Sequence, residues 1–172
     1  MGSARCQACH AAEFEAWKSS HHALAERELV AELDAPAFDD ETPFTHGHQE
    51  SSVGTEGERF VVRTRGEDGE IAAFPVERAF GVSPLRQYLV DFGSGRLQVT
   101  DLAYDPRHDD WFDVFGDEAR GPHEWGSWTG RGMTWNSMCV DCHATNVAKN
   151  YHPESDSYAT TTSELGVACE AC

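Results

Sequence analysis

Six cysteines fall into three pairs at one spacing: Cys6/Cys9 in RCQACH, Cys139/Cys142 in MCVDCH and Cys169/Cys172 in ACEAC. None stands outside a pair. His10 and His143 directly follow the second cysteine of the first two pairs. Three chemistries use cysteines spaced in this way: covalent haem attachment, a four-thiolate zinc site and a redox or structural disulfide. Haem attachment needs both thiols on one turn of backbone, so that they reach one porphyrin edge, and a histidine held beneath the iron. Zinc requires no histidine at that position and would leave one pair unused. Disulfides do not account for two adjacent histidines. The pattern therefore favours haem c, with zinc and disulfides as the alternatives.

The other seven histidines are candidates for the opposite face of the iron: His21, His22, His46, His48, His108, His123 and His152. His22 falls on the apolar side of an expected helix, a short step after Trp17. His46, in PFTHGH, stands in an expected turn after an aromatic residue, and His48 is its substitute. Met133 and Met138 are thioether candidates. Two histidines on one iron leave no position for substrate and so favour electron transfer. A multihaem oxidoreductase acting on small nitrogen compounds is the alternative. It needs an open iron position and nearby acid–base groups.

These residues need elements to position them. Residues from Cys6 to about Leu33 read as helical, with Phe14 and Trp17 on one face and His22, Ala25, Leu29 and Leu33 at helical spacing. DAPAFDDETP reads as a linker. Residues 58–104 contain short β-prone runs separated by GEDGE and GSG, which predict hairpin turns. Pro75 and Pro84 limit how central their strands can be. The expected fold is α+β, with helical or irregular haem-binding ends and a small inserted antiparallel sheet. The divisions are 1–40 for the first haem-binding segment, 41–116 for the β-rich insertion, and 117–172 for the second and third cysteine motifs. Trp111, Trp125, Trp128 and Trp135 lie in or beside an aperiodic stretch and are expected to bury against a macrocycle.

The net charge is −17, from 30 acidic and 13 basic residues. Nucleic acid, which is bound through a basic footprint, is not the expected partner. Neither is an anionic membrane surface, and no apolar run is long enough to span a bilayer. An acidic, soluble, exported surface or adaptation to salt accounts for this charge, and steering of a basic redox partner is the alternative reading.

GSARCQACHAAEFEAWKSSHHALA, PFTHGH, FGVSPLRQYLVDFGSGRLQ, WNSMCVDCHATNVAKNY and YATTTSELGVACEAC together resemble the multihaem c-type cytochromes often fused to tetratricopeptide repeats. That group is related to the tetrahaem cytochromes of nitrifying bacteria. The resemblance implies export, haem attachment outside the cytoplasm and an electron-transfer role. It implies that Cys6, Cys9 and His10 serve one haem, that Cys139, Cys142 and His143 serve a second, and that Cys169 and Cys172 serve a third. It matches His22 to a distal ligand, and His46 to the histidine of a Phe-Thr-His-His-Gly motif that here reads His-Gly-His. It further implies a histidine directly after Cys172 and a longer protein with a downstream repeat domain.

Overall fold

The computed structural model describes residues 2–171. The chain enters through α1 (Ala11–Trp17), a two-residue strand β1 (Glu26–Arg27) and α2 (Ala31–Phe38). It then runs through seven consecutive strands, each antiparallel to the next: β2 (Phe44–His46), β3 (Gln49–Glu56), β4 (Arg59–Arg65), β5 (Ile71–Phe80), β6 (Arg86–Asp91), β7 (Leu97–Asp105) and β8 (Asp110–Asp113). β1 joins the same sheet beside the end of β5, with Glu26 opposite Phe80. The first and last strands of the meander come together. Phe44 of β2 stacks on Trp111 of β8, and His46 of β2 contacts Asp113 of β8. The sheet is therefore curled and barrel-like.

This corrects the expectation of a small sheet inserted between helical ends. Strand makes up 35% of the chain and helix 19%, so the sheet is the body of the molecule. The segment expected as helical up to Leu33, with a cap at Ser19–Ser20, keeps only its first helix and the start of α2. Its middle turns sharply after Trp17 and pairs with β5 as β1, because Glu26 is drawn into the interior by two donors. Arg78 Nη1 and Trp135 Nε1 each reach its carboxylate at 2.9 Å. The stretch read as a linker instead contributes to α2, with Pro36 inside it. Asp34 holds that helix in place by accepting the Val30 N–H at its start and a two-pronged contact from Arg27.

Pro75 lies well inside β5, which pairs on both sides. The strand divides its pairing at that point. Ile71–Pro75 pair with β4, and the ladder with β6 begins at Val76, followed by a bulge before Arg78. The residue without an N–H thus stands just outside the second ladder, which is where a sheet tolerates proline.

Side chains alternate across the strands, and both faces are used. Tyr88 and Val90 point into the barrel with Val53, Val62, Val76, Leu102 and Phe38. Leu89, between them, points outward to meet Phe80, Val99, Trp135, Val140 and Ala144. The second cysteine motif is built on that outer face, on α3 (Trp135–Met138) and α4 (Val140–His143). The remaining strands are short: β9 (Ala144–Thr145), β10 (Tyr151–His152), β11 (Ser157–Tyr158) and β12 (Glu164–Leu165), paired β9 with β12 and β10 with β11.

Three of the four tryptophans expected against a macrocycle pack against protein instead. Trp111 sits among Phe38, Tyr88 and Tyr104 and donates to the Ala37 carbonyl at 2.9 Å. Trp128 lies edge-on to Phe74 and Phe92 and donates to the Arg65 carbonyl. Trp135 donates to Glu26. Only Trp125 is exposed, at 65%. The curled sheet provides the flat apolar partner for which a cofactor had been expected.

Candidate functional site

The first two cysteine motifs form the same local structure. In the first, the N–H groups of Cys9 and His10 both donate to the Cys6 carbonyl, at 3.1 and 2.9 Å. In the second, those of Cys142 and His143 both donate to the Cys139 carbonyl, at 3.1 and 3.2 Å. Each is one tight helical turn, which sets both thiols on one side with the histidine following. The third motif starts a similar turn at Cys169–Ala171. Cys172 lies outside the described residues.

The fold brings the first and third motifs together. Ser3 donates through its N–H and its hydroxyl to Glu164, and the Cys169 N–H donates to Ser3 Oγ. Trp17 Nε1 donates to the Val167 carbonyl, and the Val167 N–H donates to the His22 carbonyl, both at 2.8 Å. Between these segments is a mostly apolar cavity of about 410 Å³. Cys6, His10, Phe14, Trp17, His22 and Cys169 line it. His22 is on a turn, not on the helix expected for it, but the Val167 hydrogen bond fixes its backbone at the cavity wall. Burial, and then the neighbouring Cys169, push the Cys6 thiol above its ordinary range.

Gly166 makes this crossing possible. Its φ is +72°, and a Cβ there would come within 2.5 Å of the Ala23 carbonyl oxygen and 2.9 Å of that of His22. Gly166→Ala is expected to push the C-terminal segment off the His22 turn and to destabilise the fold by about 1–3 kcal/mol. Chemical denaturation measures this directly. Wild-type stability in G166A would contradict the close crossing.

At the second motif, His143 Nδ1 lies 3.0 Å from the Ala25 carbonyl. A carbonyl only accepts, so Nδ1 carries the proton and the neutral ring keeps its lone pair on Nε2. Orienting a ligand imidazole through its other nitrogen is what metal-binding histidines require. The ring also stacks on Phe80, with centroids 4.3 Å apart. Burial and then the Glu26 charge raise the pKa of the Cys139 thiol. Burial likewise pushes the Glu26 carboxyl up, against the hydrogen bonds from Arg78 and Trp135. Sequence reasoning did not find Ala25, Glu26 or Phe80. A backbone carbonyl carries no sequence signal, and the other two are brought in only by the β1–β5 pairing.

His46 is placed elsewhere. It is buried at the end of β2, and both ring nitrogens are engaged, Nδ1 by Asp113 Oδ2 at 2.9 Å and Nε2 by Ser51 Oγ at 2.7 Å. Asp101 completes a compact group with His46 and Asp113. Burial pushes its carboxyl up to about 6, with Asp113 adding to the rise against the pull of His46. Sequence reasoning missed both aspartates. Among the described residues this is the one group of three or more histidine, cysteine, aspartate or glutamate side chains close enough to hold a single ion. The described cysteines form no such cluster.

Matched Cys-x-x-Cys-His turns, an apolar cavity between two cysteine motifs and an imidazole held by its Nδ1 fit haem c and define a class, the c-type cytochromes. A family model, Cytochrome c554 and c-prime, matches residues 5–52 and 123–172. That is more than half of the chain, and the chain belongs to this family. The family implies haem c and an electron-transfer role. The match omits residues 53–122, most of the curled sheet. Neither the curated proteins nor the solved structures contain a match. No helix among the described residues is long and apolar enough to cross a membrane.

Proposed function

We propose that this chain is a multihaem electron carrier with two complete haem sites and a third cysteine motif. Cys6 and Cys9 attach the first haem through thioethers and His10 ligates its iron. Cys139, Cys142 and His143 do the same for the second. Cys169 and Cys172 are the thiols of a third site, whose histidine is not in the sequence. His22 is proposed as a distal ligand at the cavity between the first and third motifs. His46 is not included, because it sits at the seam of β2 and β8 beside Asp113 and does not line the cavity between the first and third motifs.

The observation that carries this reading is the position of the His143 ring. Its Nδ1–H is spent on the Ala25 carbonyl, so Nε2 is the atom free to bind a metal. Haem bound at these sites supplies one-electron iron chemistry. The chain's own residues position and shield. Trp17 and Phe14 wall one side of the cavity, and Phe80 fixes the plane of the His143 ring. The proximity of the first and third motifs suits transfer between neighbouring sites. The acidic surface favours a basic redox partner by long-range steering. Covalent haem attachment also implies export from the cytoplasm.

Haem content tests the proposal. Purified protein expressed with haem-maturation machinery is expected to keep its colour through acid–acetone extraction and to give more than one haem per chain. Its iron is expected to be low-spin by electron paramagnetic resonance. Extractable colour, or zinc without iron, would overturn it. A high-spin fraction that binds small ligands would favour the enzyme reading.

A further inference from the structure

The group at the barrel seam sets two carboxylates beside one imidazole. His46, Asp101 and Asp113 come from β2, β7 and β8, and one ligand atom from each lies within 4.8 Å of the others. Ser51 spends its hydroxyl proton on Thr64 Oγ1 at 2.7 Å, so its oxygen accepts from His46 Nε2. His46 Nε2–H therefore donates to Ser51 Oγ, and Nδ1 faces the Asp113 carboxylate at 2.9 Å. Asp101 adds a second carboxylate. It is only 5% exposed, and its Oδ1 is buried without a hydrogen-bond partner. Two buried carboxylates beside one imidazole carry net negative charge even when the ring holds two protons, which favours a cation among them.

The surroundings suit a metal ion. Gln49 Nε2 donates to Asp101 Oδ2 at 3.1 Å, and the Phe115 N–H donates to Asp113 Oδ1 at 2.8 Å. Each carboxylate is thus held by one oxygen; the other oxygen of Asp113 faces His46, and that of Asp101 is buried without a partner. Such outer contacts are characteristic of metal ligands. Asp101 and Asp113 also line a cavity of about 390 Å³ that opens to solvent, giving an ion a way in and room for water ligands. This cavity shares no lining residue with the one at Cys6 and Cys169.

We propose that His46, Asp101 and Asp113 bind one first-row divalent cation, Mn²⁺ or Zn²⁺, that clips the first and last strands of the curled sheet together. One imidazole nitrogen with two carboxylates and no thiolate is a donor set for such ions. The site is independent of the haem motifs. It assigns to His46 a role other than iron ligation.

Mn²⁺ is the probe, because thiols bind it poorly and its free ion has a strong paramagnetic signal. Haem-loaded protein, freed of metal with a chelator, is titrated with Mn²⁺. Saturation at one ion per chain is expected, with a rise in melting temperature. Asp101→Asn is expected to bind at least about tenfold more weakly and to lose the melting shift. Because Asp101 Oδ1 has no partner, this variant should fold as well as wild type without metal. Electron spin-echo modulation on the wild-type complex provides a readout that needs no variant, and a coupled imidazole nitrogen is expected. Unsaturable binding, equal binding by D101N, or no nitrogen coupling would each overturn the proposal and would assign the charge balance to a proton on His46.

Discussion

Replacing Cys139 and Cys142 together (C139S/C142S) is expected to remove one whole haem equivalent per chain. A serine oxygen forms no thioether at the porphyrin vinyls, so only His143 would remain to hold that haem, and a single axial bond does not survive extraction. The effect should be confined to one site. Trp135, Val140 and Ala144 around the motif are buried against Leu89 and Val99, and the Cys139–His143 turn is made by backbone hydrogen bonds. Serine preserves both features. Pyridine haemochrome per chain, measured beside far-ultraviolet circular dichroism, separates lost haem from lost fold. Unchanged haem content in a folded variant would show that the second motif does not carry a haem.

The largest expected effect on stability comes from Asp34, which is fully buried. Its carboxylate accepts from Arg27 at 2.7 and 2.8 Å, from the Val30 N–H at 2.8 Å and from the Tyr88 hydroxyl at 3.0 Å. Arg86 lies close by and also donates to the Leu33 carbonyl. Asp34→Ala leaves two buried guanidiniums without their counter-charge, and removing one partner of a buried ion pair costs about 3–5 kcal/mol. Against a typical total of about 5–15 kcal/mol, that is a large share. Urea denaturation checks it, and a loss below about 1 kcal/mol would contradict the network.

The same residue sets an acid limit. Burial acts to raise the Asp34 pKa, but the hydrogen bonds from Arg27 and Val30, with the Arg27 charge, outweigh it and hold the carboxyl below its ordinary value. A carboxyl whose folded pKa lies below its unfolded one, about 3.9, binds its proton more readily when unfolded. Its stabilisation is therefore complete well above pH 4 and declines as the pH falls through the folded value. D34A should lack this part of the acid dependence, so the two stability curves should converge on acidification.

What was legible in the sequence is what depends on neighbouring residues. Cys6, Cys9 and His10 are close because one turn of backbone makes them so, and the same holds for Cys139, Cys142 and His143. Spacing alone could therefore place each trio. The short strands around GEDGE and GSG were legible for a similar reason, since hairpin turns are local. The helix expected through His22 was not found, because the pull of Arg78 and Trp135 on Glu26 outweighs helical periodicity. The linker around Pro36 contributes to a helix for a comparable reason, since Asp34 is anchored by Arg27 and Val30.

By itself, the sequence determined the chemistry: paired thiols with an adjacent histidine. Only the tertiary structure decided which motifs are neighbours and which histidines are free. Cys169 meets Ser3 across 166 positions of chain, and His46 meets Asp113 across 67. Contacts at such separations depend on strand pairing and on the curl of the sheet, which cooperative packing sets. The physical reason is that side-chain spacing within a turn follows from covalent geometry, whereas approach between distant segments follows from the burial of the whole core.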